Sequence, residues 1–147
     1  MGFLKGKTAI ITGAGRRVLA DGRSGSIGYG IATAYAKEGA NLVITGRNMQ
    51  KLLDAKEELE RLYGIQVLPI QADVNKESDN DALVADVIRQ AVEKFGGIDV
   101  LINNAQASAS GVTIAQHTTA QLDLAMYSGL YAAFYYMKHD YPYLKVS

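Results

Sequence analysis

Thr8-Ala9-Ile10-Ile11-Thr12-Gly13-Ala14-Gly15, resumed at Gly25-Ser26-Ile27-Gly28-Tyr29-Gly30, is the stretch on which the fold turns. Its first five residues are a short run bounded by Lys7 and Gly13, which reads as a buried parallel strand. The second glycine cluster opens a small-residue segment from Ile27 to Lys37 that reads as a helix closed by Gly39. Glycines between such a strand and helix let the backbone approach a phosphate, while the helix N-terminus offers unpaired N–H groups and a positive dipole end. A glycine pattern alone is weak evidence; a strand before it and a helix after it supply the confirming context. Gly13 is expected to make the tight turn. Gly28 either brings the backbone near a phosphate or allows close helix packing.

Between the two halves lies Arg16-Arg17-Val18-Leu19-Ala20-Asp21-Gly22-Arg23-Ser24. Its arginines have two readings: charge-assisted contacts to a bound phosphate, or a solvated surface excursion, since loop insertions cost little.

Working outward, strand and helix patterns alternate to the end. Asn41 to Thr45 is a second strand, ended by Gly46. Asn48 reads as the N-cap of a helix running to Tyr63, with Leu52, Leu59 and Leu62 near one face and Gly64 as its stop. Gln66 to Ile70 is a third strand, which Pro69 marks as a sheet edge. Residues 78–95 form a helix with Leu83, Val87, Ile88 and Ala91 as its apolar stripe, and Ile98 to Ile102 is the fourth strand. After a small-residue loop from Ala105 to Gly111, Thr118 and Gln121 have capping-box spacing. Leu122, Met126, Leu130 and Phe134 continue along that last helix. Alternation of this kind implies an α/β fold with a parallel sheet covered on both faces, here as a single domain over residues 1–147.

Composition narrows the function classes. Lysine plus arginine and aspartate plus glutamate are 15 each, so no global field favours nucleic acid or an anionic membrane. There is no cysteine, which removes disulfides and thiolate chemistry, and the two histidines, His117 and His139, have no second ligand at metal spacing. No run is long enough for a signal peptide or a membrane span, so a cytoplasmic location is expected.

Further residues carry chemistry at the strand ends. Thr45-Gly46-Arg47-Asn48 follows the second strand, where the adenosine ribose of a dinucleotide would lie. A carboxylate there would suit a free 2′-hydroxyl; Arg47 suits a 2′-phosphate instead, which points to NADP (NADPH). Asp73-Val74 ends the third strand, and its carboxylate either accepts from an adenine amino group or caps the next helix. Asn103-Asn104-Ala105 closes the fourth strand, where amides can tie strands together or touch a ribose.

Together these residues resemble the N-terminal, cofactor-binding portion of a short-chain dehydrogenase/reductase. Thr12-Gly13 through Gly28, Asp73-Val74 and Asn103-Asn104-Ala105 stand in that family's order and roughly its spacing. The resemblance implies a Rossmann-type three-layer sandwich of strand order 3-2-1-4, truncated after strand four and its following helix. It implies hydride transfer between a nicotinamide and a small-molecule carbonyl or alcohol, and a homo-oligomer formed through the last helix. It places Gly13, Ser26, Ile27 and Gly28 at the pyrophosphate, Asp73 and Val74 at the adenine and Arg47 at the ribose phosphate. Asn104 and Ala105 would face the ribose, and Asn103 would brace the sheet.

The departures are specific. The glycine turn carries the insertion, Ser26 replaces a middle glycine, and Gln106 stands where the family has glycine. Met126 aligns with a catalytic-network asparagine. The resemblance places the catalytic serine and the tyrosine–lysine pair beyond Ser147, so these residues alone are expected to be inactive and to leave strand four open to association. Tyr141-Pro142-Tyr143-Leu144-Lys145 matches the Tyr-x-x-x-Lys pattern, with Ser128 upstream. Ser128 falls inside a helical segment, however, and Pro142 disfavours the continuous helix that would align Tyr141 with Lys145. Two rival readings are an enoyl-thioester reductase relative, favoured by the stretched glycine turn but not by Asn103-Asn104-Ala105, and a non-catalytic nucleotide-binding or dimerisation module.

Overall fold

The computed structural model describes residues 2–75 and 77–146. Four parallel strands, β1 (Thr8–Thr12), β2 (Asn41–Gly46), β3 (Val67–Gln71) and β4 (Val100–Ile102), form one sheet in the order β3-β2-β1-β4. The expected order is therefore found. Pro69 sits in the edge strand β3, opposite Ile44, where its missing N–H interrupts no second ladder.

Side chains alternate across the pleat and divide the core into two layers. Ala9, Ile11, Leu42 and Ile44 face α1 (Ile27–Lys37) and α2 (Met49–Tyr63). Ile10, Val43 and Ile70 face α3 (Glu77–Phe95) and α5 (Ala132–Leu144). Helices on both faces explain why β1 is buried along its whole length.

Local signals set the helix ends. The Asn48 side chain accepts from the Lys51 N–H, and Gly64 ends α2 at φ 69°, in the left-handed region that favours glycine. On α2 the buried face is Leu52, Ala55 and Leu59, whereas Leu62 is 52% exposed; it lies too far round the helix to join that stripe. On α3 the buried stripe is Val84, Val87, Ile88 and Ala91, with Leu83 at its margin. β4 is shorter than its apolar run suggests, only Val100 to Ile102.

The last helical region departs most from its pattern. Thr118 and Gln121 do form a capping box at the start of α4 (Thr119–Ala125). A π-helical segment, Met126–Tyr131, then leads into α5. The Asn80 side-chain amide donates to the Val74 carbonyl (2.8 Å) and to the Tyr127 carbonyl in that segment (3.3 Å). The buried face is Ser128, Ala132, Tyr136 and Asp140. The expected stripe of Leu122, Met126, Leu130 and Phe134 points outward instead, each at least 36% exposed. Pro142 does not break α5: the helix runs to Leu144, only two residues beyond it, so the missing N–H falls in the last turn. Among the described residues no helix is long and apolar enough to cross a membrane, and no cluster of metal-ligating side chains occurs.

Candidate functional site

Register gathers the candidate residues. Thr12 pairs with Thr45, Thr45 with Ile70, and Ile11 with Ile102, so all four strands end along one rim. The backbone stitches that rim together: the Ala14 N–H donates to the Thr45 carbonyl (3.0 Å) and the Ala72 N–H to the Gly46 carbonyl (2.9 Å). Outside the rim lies a crevice with two parts, which is the position where open α/β sheets take ligands. An inner cavity of about 220 Å³ runs between the strand ends and the last helical region. An outer groove of about 700 Å³ runs between the glycine turn and the start of α2. Gly13, Gly46 and Arg47 line both.

Gly13 turns at φ 69° and delivers the chain to α1, whose N-cap is Ser26; the Ser26 hydroxyl accepts from the Tyr29 N–H. Gly28 resolves the choice left by its position. A Cβ there would lie 2.1 Å from the Gly13 carbonyl oxygen and 2.6 Å from Asn104 Nδ2, so the residue allows helix α1 to close on the turn. Ile27, the first residue of α1, is 76% exposed.

The brace expected of Asn103 is made by Asn104. Asn104 Nδ2 donates to the carbonyls of Thr12 (3.0 Å) and Gly13 (3.2 Å). The Thr12 hydroxyl accepts from the N–H groups of Asn104 and Ala105, both at 2.9 Å. Parallel pairing of β1 with β4 brings the two strand ends side by side, and Asn103 is exposed at the cavity. Ala105 lines the same cavity.

Arg47 stands at the junction of cavity and groove, and its carbonyl accepts from Gln71 Nε2 (3.0 Å). Val74 lines the inner cavity; Asp73 does not, and its carboxylate accepts from the Asn75 N–H (3.0 Å) in a local turn.

The insertion folds as a small antiparallel hairpin, with Val18 bridged to Ser24 and a turn at Gly22. Its arginines have separate fates. Arg23 pairs with Asp21 at the tip (2.6 Å). Arg16 pairs with Glu58 of α2 (2.8 Å), whose carboxylate also takes the Tyr29 hydroxyl hydrogen bond. Burial and that carboxylate push the Tyr29 phenol up to about 12, while the Tyr29 and Arg16 hydrogen bonds hold Glu58 below the usual carboxylate range. Arg17 lines the outer groove.

Ser128, Tyr141 and Lys145 do not assemble. The Ser128 hydroxyl accepts from the Ala107 N–H (2.8 Å) and donates to the Leu124 carbonyl (2.7 Å), which pins the Ala105–Gly111 loop to the π segment. Tyr141 is 63% exposed with Lys145 over its ring at 5.7 Å, about 20 Å along the helix from Ser128. Met126 points outward; Ser128 is the inward residue of that turn.

Lys51, Asn75 and Tyr136 also line the crevice and were not among the sequence candidates. Lys51 was legible: it is three residues past the Asn48 cap, in the first turn after β2. Tyr136, 2% exposed, had no local signal; burial pushes its phenol up to about 12, with the neighbouring Thr45 hydroxyl acting the other way.

Comparison with known proteins gives one consistent result. The family model for short chain dehydrogenases matches residues 7–147. A 12alpha-hydroxysteroid dehydrogenase from a Clostridium species is 60% identical over 145 residues, covering 99% of this chain and 53% of the relative. L-Sorbose reductase from Gluconobacter frateurii, solved with NADPH and L-sorbose, superposes with TM-score 0.81 at 28% identity, over 97% of this chain and 49% of the other. An alcohol dehydrogenase from Thermococcus sibiricus, solved with 5-hydroxy-NADP, gives TM-score 0.82 at 26% identity, over 95% and 54%. The chain spans about half the length of these proteins.

Proposed function

The chain belongs to the short-chain dehydrogenase family, and on that premise we propose that it is the nucleotide-binding domain of an NADP-dependent oxidoreductase acting on a carbonyl or alcohol. The hydroxysteroid class is the proposed substrate, because a relative at 60% identity is a 12alpha-hydroxysteroid dehydrogenase. When bound, the dinucleotide supplies or takes up the hydride.

The chain's own residues hold and orient it. Gly13 and the N-terminus of α1 at Ser26, Ile27 and Gly28 present backbone N–H groups to the pyrophosphate. Val74 flanks the adenine with Asp73 at the rim, and Ala105 and the Asn103-Asn104 end of β4 face the ribose. One observation carries the cofactor choice: the turn after β2 bears Arg47 at the crevice, and no carboxylate stands there to accept a ribose 2′-hydroxyl.

Because Tyr141 and Lys145 stand away from the crevice that Ser128 lines, residues 1–147 taken alone are proposed to bind the adenosine half without turnover. The outward apolar face of Leu122, Leu130 and Phe134 supports a homo-oligomer through the last helical region. Neither the enoyl-thioester reading nor the non-catalytic module is favoured by the relatives found.

The test is calorimetric titration of this chain with NADPH and NADH. Tighter binding of NADPH, reduced toward the NADH value in Arg47→Ala, is expected; equal affinities unchanged by Arg47→Ala would refute the cofactor assignment.

A further inference from the structure

The hairpin splits the glycine turn, yet both halves face one groove: Gly13, Gly15 and Ser26 line it together. Each half carries backbone donors. The N–H groups of Gly15, Ile27 and Gly28 have no hydrogen-bond partner among the described residues. A longer connection constrains its ends less than a tight turn does, so the insertion loosens the spacing between the two donor sets. A contact from outside the loop restores it.

That contact is Glu58 of α2. Its Oε2 accepts from Arg16 Nε and stands against Arg16 Nη2, both at 2.8 Å, while its Oε1 accepts from the Tyr29 hydroxyl. Arg16 directly follows Gly15, and Tyr29 directly follows Gly28. Each carboxylate oxygen therefore holds the neighbour of one donor set. The helix that carries Glu58 is a fixed platform, since Leu52, Ala55 and Leu59 are buried in the same core layer as Tyr29. The Arg16 N–H also donates to the Lys51 carbonyl on that helix (2.8 Å). The Gly25 N–H donates to the Arg17 carbonyl (2.6 Å) and closes the base of the hairpin. The close approach of Gly28 to Gly13 sets how near α1 comes to the end of β1. Glu58 sets where Gly15, at the mouth of the hairpin, stands against α1.

We propose that Glu58 is a positioning residue for the pyrophosphate: through Arg16 and Tyr29 it clasps the two halves of the split glycine turn, so that Gly15 on one side and Ile27 and Gly28 on the other present their N–H groups to one anion. The inference rests on the nucleotide-binding reading above and extends it to a residue that touches no ligand. A pyrophosphate is the part of the cofactor whose binding depends on backbone donors from both halves at once. The adenine and its ribose lie against the ends of β2 and β3, which the clasp does not hold.

Two probes separate these parts: NADPH carries the pyrophosphate, and adenosine 2′-monophosphate carries the adenine and its ribose without one. Calorimetry on the whole chain should show Glu58→Ala weakening NADPH about tenfold and leaving adenosine 2′-monophosphate within about twofold. Glu58→Gln, which still accepts from Tyr29 and loses only the ion pair, should fall between Glu58→Ala and wild type. Arg16→Gln and Tyr29→Phe should each weaken NADPH about threefold in the wild-type background and add nothing in the Glu58→Ala background, because both act through one carboxylate. A wild-type chain that binds neither probe overturns the nucleotide reading and this inference together. NADPH affinity unchanged in Glu58→Ala overturns the inference alone. Equal weakening of both probes makes Glu58 a general support of the fold and also overturns it, as do losses from Arg16→Gln or Tyr29→Phe that persist undiminished without Glu58.

Discussion

Gly28 and Gly30 stand two residues apart in one helix, and the structure predicts opposite outcomes for the same substitution. An alanine Cβ at position 28 would lie 2.1 Å from the Gly13 carbonyl oxygen, 2.8 Å from its carbon and 2.6 Å from Asn104 Nδ2. Two of these atoms are backbone, and the Gly13 turn is fixed at φ 69°, so nothing flexible can give way. Restoring ordinary contact requires α1 to move by about 1 Å against a close-packed sheet, an overpacking cost of about 1–3 kcal/mol. The same movement loosens the Asn104 brace to Thr12 and Gly13, adding about 1 kcal/mol.

At position 30 the nearest atom would be Ser24 Oγ at 3.5 Å, an ordinary contact. There the helix-propensity gain of about 0.5–1 kcal/mol is the only sizeable effect. Gly28→Ala is therefore expected to lose about 2–4 kcal/mol, and Gly30→Ala to gain up to about 1. Urea titrations followed by far-UV circular dichroism read both differences from the midpoints. A Gly28→Ala chain within about 0.5 kcal/mol of wild type would refute the close-approach account of this glycine, because that is the range of an uneventful substitution.

Two further outcomes concern the last helical region. Asp140 is fully buried, neither of its carboxylate oxygens has a hydrogen-bond partner among the described residues, and burial pushes it up to about 7. A raised folded-state value means that stability is complete below the ordinary carboxylate range and is lost as pH rises through 7. Wild type should therefore lose about 2–4 kcal/mol between pH 4 and pH 8, and Asp140→Asn should flatten the profile; superimposable pH profiles would contradict it. Leu130 and Phe134, 58% and 53% exposed, should drive self-association, so Leu130→Glu with Phe134→Glu is expected to shift sedimentation velocity toward monomer at nearly unchanged stability. A mass distribution identical to wild type would argue against that face.

What could be read beforehand is what residues decide among near neighbours. Asn48, Gly64 and the Thr118–Gln121 pair act within a few positions, so the helix ends were legible; so was the strand–glycine–helix unit, and with it the strand order. The π segment was not, because the side chain that takes one of its carbonyls, Asn80, is 47 residues from Tyr127. The same distance effect governs the site. Three arginines in one insertion looked equivalent, and only tertiary structure separates them: Glu58, 42 residues away, claims Arg16, while Arg17 is left in the groove. Two adjacent asparagines offered the same brace, and only the fold shows that it is Asn104 whose side chain meets the Thr12 and Gly13 carbonyls. In each case the residue type predicted a capability and the partner decided its use. A cation with a carboxylate beside it is part of the scaffold. Lys51 and Arg17 differ from Arg16 and Arg23 in this respect, since among the described residues neither has a carboxylate partner and both line the outer groove.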